Sequence, residues 1–378
     1  MLYLDHAATT PLRPEARAAA EPFLDADFGN PSGVHGISRR AKNAVEAARE
    51  QAAALLGASH PLEIVFTGGG TEADNLAVAG AALAAAGRRG VVTSAVEHKA
   101  VLDTADFVSR LEGRIEIVGV DEAGLVDPER LAGAVSDDTA VASVMLANNE
   151  VGTIQPVPEI AAAVHGRDRR VLVHTDAVQA FISEPVAVST TGADLIALAA
   201  HKFGGPKGVG LLYVRNGVEL EPLIHGGGQE LGRRSGTHNV AGIIAMVAAM
   251  QAAAEDREGF RGRVAAARDR FEEVLLDKLP GVTATAAGAP RLVQHSHLRF
   301  PGMRSETMLI RLDAAGIAAA AGSACQSGAI EPSHVLAAMG FSPEEAAECV
   351  RFTFGWPNVA ADGERAALAV IDVAGAMR

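Results

Sequence analysis

Seven apolar runs of strand length recur through the N-terminal part of the chain: Leu62 to Phe66, Val91-Val92, Ile115 to Val118, Val141 to Leu146, Val171 to Val173, Leu195 to Leu198 and Val209 to Val214. Runs without polar alternation are expected where both faces of a sheet are covered. Helix-period segments lie between several of them, at Ser38 to Leu56, Thr71 to Ala86 and Val157 to Val164. The alternation predicts an α/β fold whose large domain holds a mostly parallel seven-stranded sheet.

After Thr237 the pattern changes. An Ala-rich helical stretch runs from Val240 to Leu279, with a break expected near Glu258-Gly259. A smaller α+β unit follows, with a strand near Leu292 to Phe300, a helix from Ser305, a strand near Ile317 and another at Val350 to Phe354. The expected division is a large domain over residues 13–258 and a small domain formed by residues 1–12 and 259–378.

Composition narrows the function. With 378 residues and 48% apolar content the chain can bury a large core, which excludes disorder. No apolar stretch approaches the ~20 residues of a membrane span, and the N-terminus lacks the basic-then-apolar pattern of a secretory signal. Two cysteines, Cys325 and Cys349, exclude a disulfide framework. A cytoplasmic protein without membrane partners is expected. The formal charge of −13 opposes direct nucleic-acid binding, which rests on phosphate neutralisation.

Four segments carry chemistry. Thr67-Gly68-Gly69-Gly70-Thr71-Glu72 joins a strand to a helix. It is either a tight turn capped by Thr71 or an anion seat made of free N–H groups. Its glycine spacing fits neither the dinucleotide fingerprint nor a P-loop. Val171 to Asp176 delivers an acid to a strand end, the edge where open α/β sheets bind ligands; Asp176 could equally cap a loop. Ala199-Ala200-His201-Lys202-Phe203-Gly204 sets Lys202 among small residues after an apolar strand. That is a setting for a desolvated, nucleophilic lysine, unless the turn is solvated.

An Asp at a strand end and a lysine about 25 residues later suit pyridoxal phosphate. The lysine would hold the aldehyde, the acid the ring nitrogen, and the glycine-rich helix start the phosphate. The fourth segment, Gly322-Ser323-Ala324-Cys325, places a thiol among small polar residues, whereas Cys349 beside Val350 fits a buried hydrophobe. Cys325 is the candidate reactive thiol. Cys325 and His334 lack further ligands at zinc-site spacing, so no metal is expected.

Together these segments resemble the cysteine desulfurases, pyridoxal-phosphate enzymes of fold type I that draw sulfur from L-cysteine. The resemblance covers nearly the whole chain. It includes Tyr3-Leu4-Asp5-His6-Ala7-Ala8-Thr9-Thr10-Pro11, Gly29-Asn30-Pro31-Ser32, Thr71-Glu72, Glu97-His98 and Asn148-Asn149-Glu150-Val151-Gly152. Asp176-Ala177-Val178-Gln179, His201-Lys202, Arg234-Ser235-Gly236-Thr237, Gly322 to Cys325 and Arg351-Phe352 continue it. The Gly-Ser-Ala-Cys segment is similar to the branch with a long, mobile catalytic loop.

By position, the resemblance implies that Lys202 holds the cofactor and then shuttles the substrate α-proton. Asp176 would bind the pyridine nitrogen, Gln179 the ring hydroxyl, and His98 would stack on the ring and take part in proton transfer. Gly70, Thr71 and His201 would hold the phosphate, with Thr237 reaching it from the second subunit of a homodimer. Arg351 with Asn149 would bind the substrate carboxylate, and Cys325 would carry the sulfur as a persulfide. The sulfur then passes to an acceptor protein, for iron–sulfur clusters or thio-compounds. One departure stands out: Ala199 occupies a position where the family usually has a phosphate-binding Ser. Selenocysteine lyases, aminotransferases and epimerases share the fold, and the loop thiol separates the last two from this reading.

Overall fold

The computed structural model describes residues 1–322 and 333–377. Strand β1 (Leu2–Tyr3) opens the chain. The central sheet contains β2 (Ile64–Thr67), β3 (Gly90–Ser94), β4 (Ile115–Val118), β5 (Thr139–Ser143), β6 (Leu172–Asp176), β7 (Leu195–Ala199) and β8 (Gly210–Val214), in the order β2-β8-β7-β6-β5-β3-β4. Each expected apolar run contributes one strand. Only β8 is reversed: it is antiparallel to both β7 and β2, while the neighbours from β7 to β4 are all parallel.

Alternate residues of the strands supply two cores. On one face Val65, Leu195, Ala197 and Leu212 pack against Leu76 and Ala77 of the Gly70–Ala84 helix and Val101 and Ala105 of the Lys99–Ser109 helix. On the other, Ile64, Phe66, Ile196, Leu198 and Leu211 join Val45 and Ala52 of the Gly36–Leu56 helix and Met246 of the Val240–Glu255 helix. Burying each large aliphatic side chain is worth about 1.5–3 kcal/mol, so the two-sided coverage explains why β2, β7 and β8 carry no polar alternation.

The remaining strands form two small sheets. β9 (Thr283–Ala284), β10 (His295–Arg299) and β12 (Cys349–Thr353) make an antiparallel sheet, and β11 (Ile317–Ala318) pairs in parallel with β1. The N-terminus is thus stitched to the C-terminal part of the chain. The long helical stretch breaks at Asp256, just before the expected Glu258-Gly259, between the Val240–Glu255 and Arg257–Lys278 helices. Gly259 lies inside the second helix under the Asp256–Arg263 pair, where a Cβ would lie 2.7 Å from Asp256 Oδ1. Among the described residues no helix is long and apolar enough to cross a membrane.

Candidate active site

Because β2, β3, β5, β6 and β7 run the same way, their C-terminal ends open on one edge of the sheet, the side where such folds bind ligands. Gly68 to Thr71 follow β2. The helix here starts at Gly70 with Gly69 as its cap, at φ 151°, so Thr71 is a residue of the first turn and not the cap. The first-turn N–H groups of Gly70, Thr71 and Glu72 therefore have no acceptor within the helix. A Cβ at Gly70 would lie 3.0 Å from Val178 Cγ2 and 3.2 Å from Ala199 Cβ, so the backbone comes close to the sheet edge. A cavity of 780 Å³ opens here, lined by Gly69, Gly70, Thr71, His201 and Lys207 among others.

After β7 the chain makes a short turn, Ala200–Lys202. His201 Nδ1 lies 3.2 Å from Thr9 Oγ1. Burial, then the positive charges of Lys202 and Lys207, push its imidazole down to about 4. Lys202 Nζ donates to the carbonyl oxygens of Ala7 and Ala8, the latter at 2.9 Å.

Asp176 ends β6, and its Oδ1 accepts from Val178 N at 2.9 Å. Burial raises its pKa, opposed by His98 and Lys202, which face it. His98 caps the Lys99–Ser109 helix: its Nδ1 accepts from Ala100 N at 3.1 Å, which leaves the ring proton on Nε2. Burial lowers the His98 pKa, with Asp176 opposing and Lys202 adding to the effect.

The carboxylate end comes from elsewhere in the chain. Arg351 on β12 is 3% exposed, and its Nη1 donates to Asn149 O at 2.9 Å while Nη2 pairs with Asp5 Oδ1 at 2.7 Å. Its Nε has no partner among the described residues. A guanidinium carries five N–H donors, so the two anchored ones leave the others for a planar carboxylate.

The sequence gives no role to the stretch Asp5 to Thr9 beyond its part in the resemblance, yet it forms one wall of the site. Ala7 N donates to Thr353 Oγ1 at 2.9 Å, and Ala7 O accepts from Gln179 Nε2 at 2.9 Å as well as from Lys202. Tyr3 OH ties the segment together by donating to Asp5 O and Thr9 O. No periodicity could reveal this, because the wall is built from backbone groups rather than from side chains.

Some expected residues are not brought in. Thr237 is exposed on its own chain, and Ser235 Oγ already accepts from Gly228 N at 3.2 Å. Cys325 lies outside the described residues. Cys349 is buried and its thiol is pushed up to about 12 by burial, the behaviour of an inert core cysteine. His334 Nε2 donates to Glu97 O at 2.9 Å, and no group of three or more metal-ligating side chains occurs among the described residues.

The donors fit the expected cofactor. Three helix-start N–H groups, the Thr71 hydroxyl, His201 and Lys207 line the same cavity, a donor set that suits a phosphate. A buried acid, a histidine facing it and a lysine amine follow on the adjacent strand ends.

Comparison with known proteins agrees. The family model of class-V aminotransferases matches residues 2–365. A cysteine desulfurase IscS of Dictyoglomus turgidum is 43% identical over 94% of this chain and 89% of its own length. A cysteine desulfurase of Gluconacetobacter diazotrophicus is 44% identical over 98% of this chain and 92% of its own. The solved structure of a NifS-like protein superposes with a TM-score of 0.91 at 34% identity, covering 99% of both chains.

Proposed function

The chain belongs to the class-V aminotransferase family, and from that premise we propose how its own residues carry out the desulfuration of L-cysteine. It is a pyridoxal-phosphate-dependent cysteine desulfurase: L-cysteine is converted to L-alanine, and the sulfur goes to an acceptor. When bound, pyridoxal 5′-phosphate supplies an electron-poor ring that acidifies the substrate Cα–H and weakens the Cβ–S bond.

The residues divide the remaining tasks. Arg351, aimed by Asp5 and Asn149, holds the substrate carboxylate. Asp176 provides the carboxylate for the ring nitrogen, and Gln179, whose Nε2 donates to Ala7 O, would meet the ring hydroxyl. Lys202 would hold the cofactor, and its Nζ would move the substrate α-proton. The Ala7 and Ala8 carbonyls give that amine a resting position. His98, neutral and with Nδ1 already engaged, presents Nε2 for stacking and proton exchange.

Cys325 as thiolate then attacks the substrate sulfur. An S–S bond forms as the Cβ–S bond breaks, and the carbon fragment takes up a proton and leaves as L-alanine. The balance needs no outside oxidant: L-cysteine plus a thiol gives L-alanine plus a persulfide. A thiol of the acceptor protein takes the sulfur by exchange. We read the acceptor as a protein of iron–sulfur cluster or thio-compound synthesis, and the enzyme as a cytoplasmic homodimer in which Thr237 completes the partner's phosphate site. The exposure of Thr237 on its own chain supports that reading. We place the domain division at residue 258, with residues 1–12 belonging to the small unit.

The observation that carries the assignment of roles is the convergence of Lys202, Asp176, His98 and Gly70 on one sheet edge, with Arg351 held against Asn149. The test is alanine and enzyme-bound persulfide formed from L-cysteine by wild type and by Cys325→Ala. Wild type should give both products and the variant neither, while keeping its yellow cofactor. Alanine formed equally well by the variant would remove Cys325 from the mechanism.

A further inference from the structure

Beneath Asp176, strand β6 carries a second buried ionisable residue that the reaction leaves unused. His174 lies two residues back on the same face of the strand. Its Nδ1 is 2.8 Å from Ser143 Oγ, on the residue directly opposite in β5. Its Nε2 has no hydrogen-bond partner among the described residues and lies 3.6 Å from Asp74 Oδ1, which has none either. Asp74 comes from the Gly70–Ala84 helix, one turn beyond Gly70, and is 1% exposed.

Glu97 is the third acid of the group. Its Oε1 accepts from Ser94 Oγ and from Met145 N, while Oε2 is unpartnered. His98 and Lys202 are the other titratable groups facing Asp176.

Three buried carboxyls that sense one another cannot all ionise. Burial, then Asp176 and Glu97, raise the Asp74 pKa; burial also raises Glu97, to about 8. Burial alone pushes His174 down to about 3. A neutral carboxylic acid donates an O–H, and a neutral imidazole with its proton on Nδ1 towards Ser143 accepts at Nε2. The two unpartnered atoms are then donor and acceptor, and a small rotation of the Asp74 carboxyl closes the gap.

We infer that the Asp74–His174 pair is a proton store that keeps Asp176 ionised: beside the proton on Glu97, a second acid proton of these crowded carboxyls is kept on Asp74 by donation to His174 Nε2. Both are positioning residues, acting on the cofactor ring through Asp176. The inference rests on Asp176 being the partner of the ring nitrogen. Without His174 the acid form of Asp74 loses its acceptor, and a hydrogen bond to the neutral form is what favours that form. The proton then shifts towards Asp176, and the ring nitrogen loses its counter-charge.

The experiment follows loss of cofactor absorbance from holoenzyme on dilution, with Asp176→Asn setting the scale. His174→Leu should lose cofactor about tenfold faster, the equivalent of one pKa unit at Asp176. Asp74→Asn should lose it at the wild-type rate, because an amide has no acid proton to give up. The double variant should return towards wild type, since Asp74→Asn removes the proton that His174→Leu set loose. A double variant as fast as His174→Leu, or an Asp74→Asn as fast, would show a packing role or an ionised Asp74 and overturn the proposal. Asp176→Asn at the wild-type rate would sink the role given to Asp176 and the proton store with it. Should His174→Leu not fold, infrared difference spectra of wild type minus Asp74→Asn decide the matter. Loss of a protonated-carboxyl band supports the store, and loss of a carboxylate band overturns it.

Discussion

Ala199 stands at the proposed phosphate end where the resemblance leads one to expect a serine hydroxyl. Its side chain is 2% exposed, and its Cβ lies 3.2 Å from where a Cβ on Gly70 would be, so it faces the backbone that closes the phosphate cradle. A serine there would add a short donor at the rim of the seat with no other rearrangement. Hydrogen bonds to charged groups contribute about 1.5–3 kcal/mol, and the lower end of that range corresponds to about a tenfold gain in affinity. Ala199→Ser should therefore bind pyridoxal 5′-phosphate about tenfold more tightly, read by titrating apoenzyme. Unchanged affinity would mean that Lys207 and the helix start already satisfy every phosphate oxygen. The departure was visible in the sequence; the direction in which the side chain points was not.

Elements are held to this edge by a buried clasp. Glu230, at 2% side-chain exposure, accepts from Arg49 Nη1 at 2.7 Å, Arg49 Nη2 at 2.8 Å, Phe66 N at 2.9 Å and His238 Nε2 at 2.7 Å. It ties the Gly36–Leu56 helix and β2 to a turn in which Glu230 and Leu231 adopt positive φ of 50° and 58°. Each such residue costs about 1–3 kcal/mol, so the turn persists only because the clasp holds it. Beyond it, Arg234 pairs with Glu72 at 2.8 Å, and Glu72 Oε2 accepts from Gly68 N at the glycine turn. Although burial opposes it, hydrogen bonding to Arg49 and His238 and the Arg49 charge bring Glu230 down from 4.5 to about 2. A depressed carboxyl stabilises the fold above its unfolded pKa and loses that contribution as pH falls through its folded one. Glu230→Gln should cost about 3 kcal/mol at neutral pH, with the difference from wild type shrinking between about pH 4.5 and 2 in urea unfolding. A constant difference would assign the loss to packing alone. At this scale the sequence was informative where burial is two-sided: the runs that form β3 and β5 to β8 stand out because their residues are apolar or small, whereas those of β2 and β4 include Glu63 and Glu116. Two-residue strands such as β1 and β9 carry no such signal, and the reversal of β8 depends on the chain's path. The Asp74–His174 contact joins a helix to a strand across many residues of chain, so no local pattern could announce it.

For the molecule as a whole, two buried populations titrate in opposite senses. Burial pushes His6 down to about 4, and His174, His295 and His297 down to about 3, so unfolding near pH 5 takes up protons that the folded protein refuses. Glu97, raised to about 8, and Asp74, also raised, hold protons in the folded state that the unfolded chain would release above its ordinary carboxyl range. Above about pH 6.5 the unfolded histidines are neutral and the carboxyls dominate, so stability falls as pH rises. Between about pH 6.5 and 4.5, the histidine protons taken up on unfolding, those of His98 and His201 included, outnumber the two carboxyl protons that oppose them. Each net proton taken up on unfolding lowers stability by about 1.4 kcal/mol per pH unit as pH falls. Below about pH 4.5 the unfolded carboxyls also protonate, the offset vanishes and the decline steepens. The apoenzyme should therefore be most stable near pH 6.5, although its formal charge is −13 and repulsion alone would favour a lower pH. Urea midpoints across this range would show the maximum. Replacing Glu97 by Gln should flatten the alkaline side and steepen the fall between about pH 6.5 and 4.5, because Gln keeps an acceptor for Ser94 and Met145 N without the acid proton that offsets the histidines. A Glu97→Gln profile that still falls as steeply above pH 6.5 would place the alkaline loss on Asp74 and the remaining buried acids.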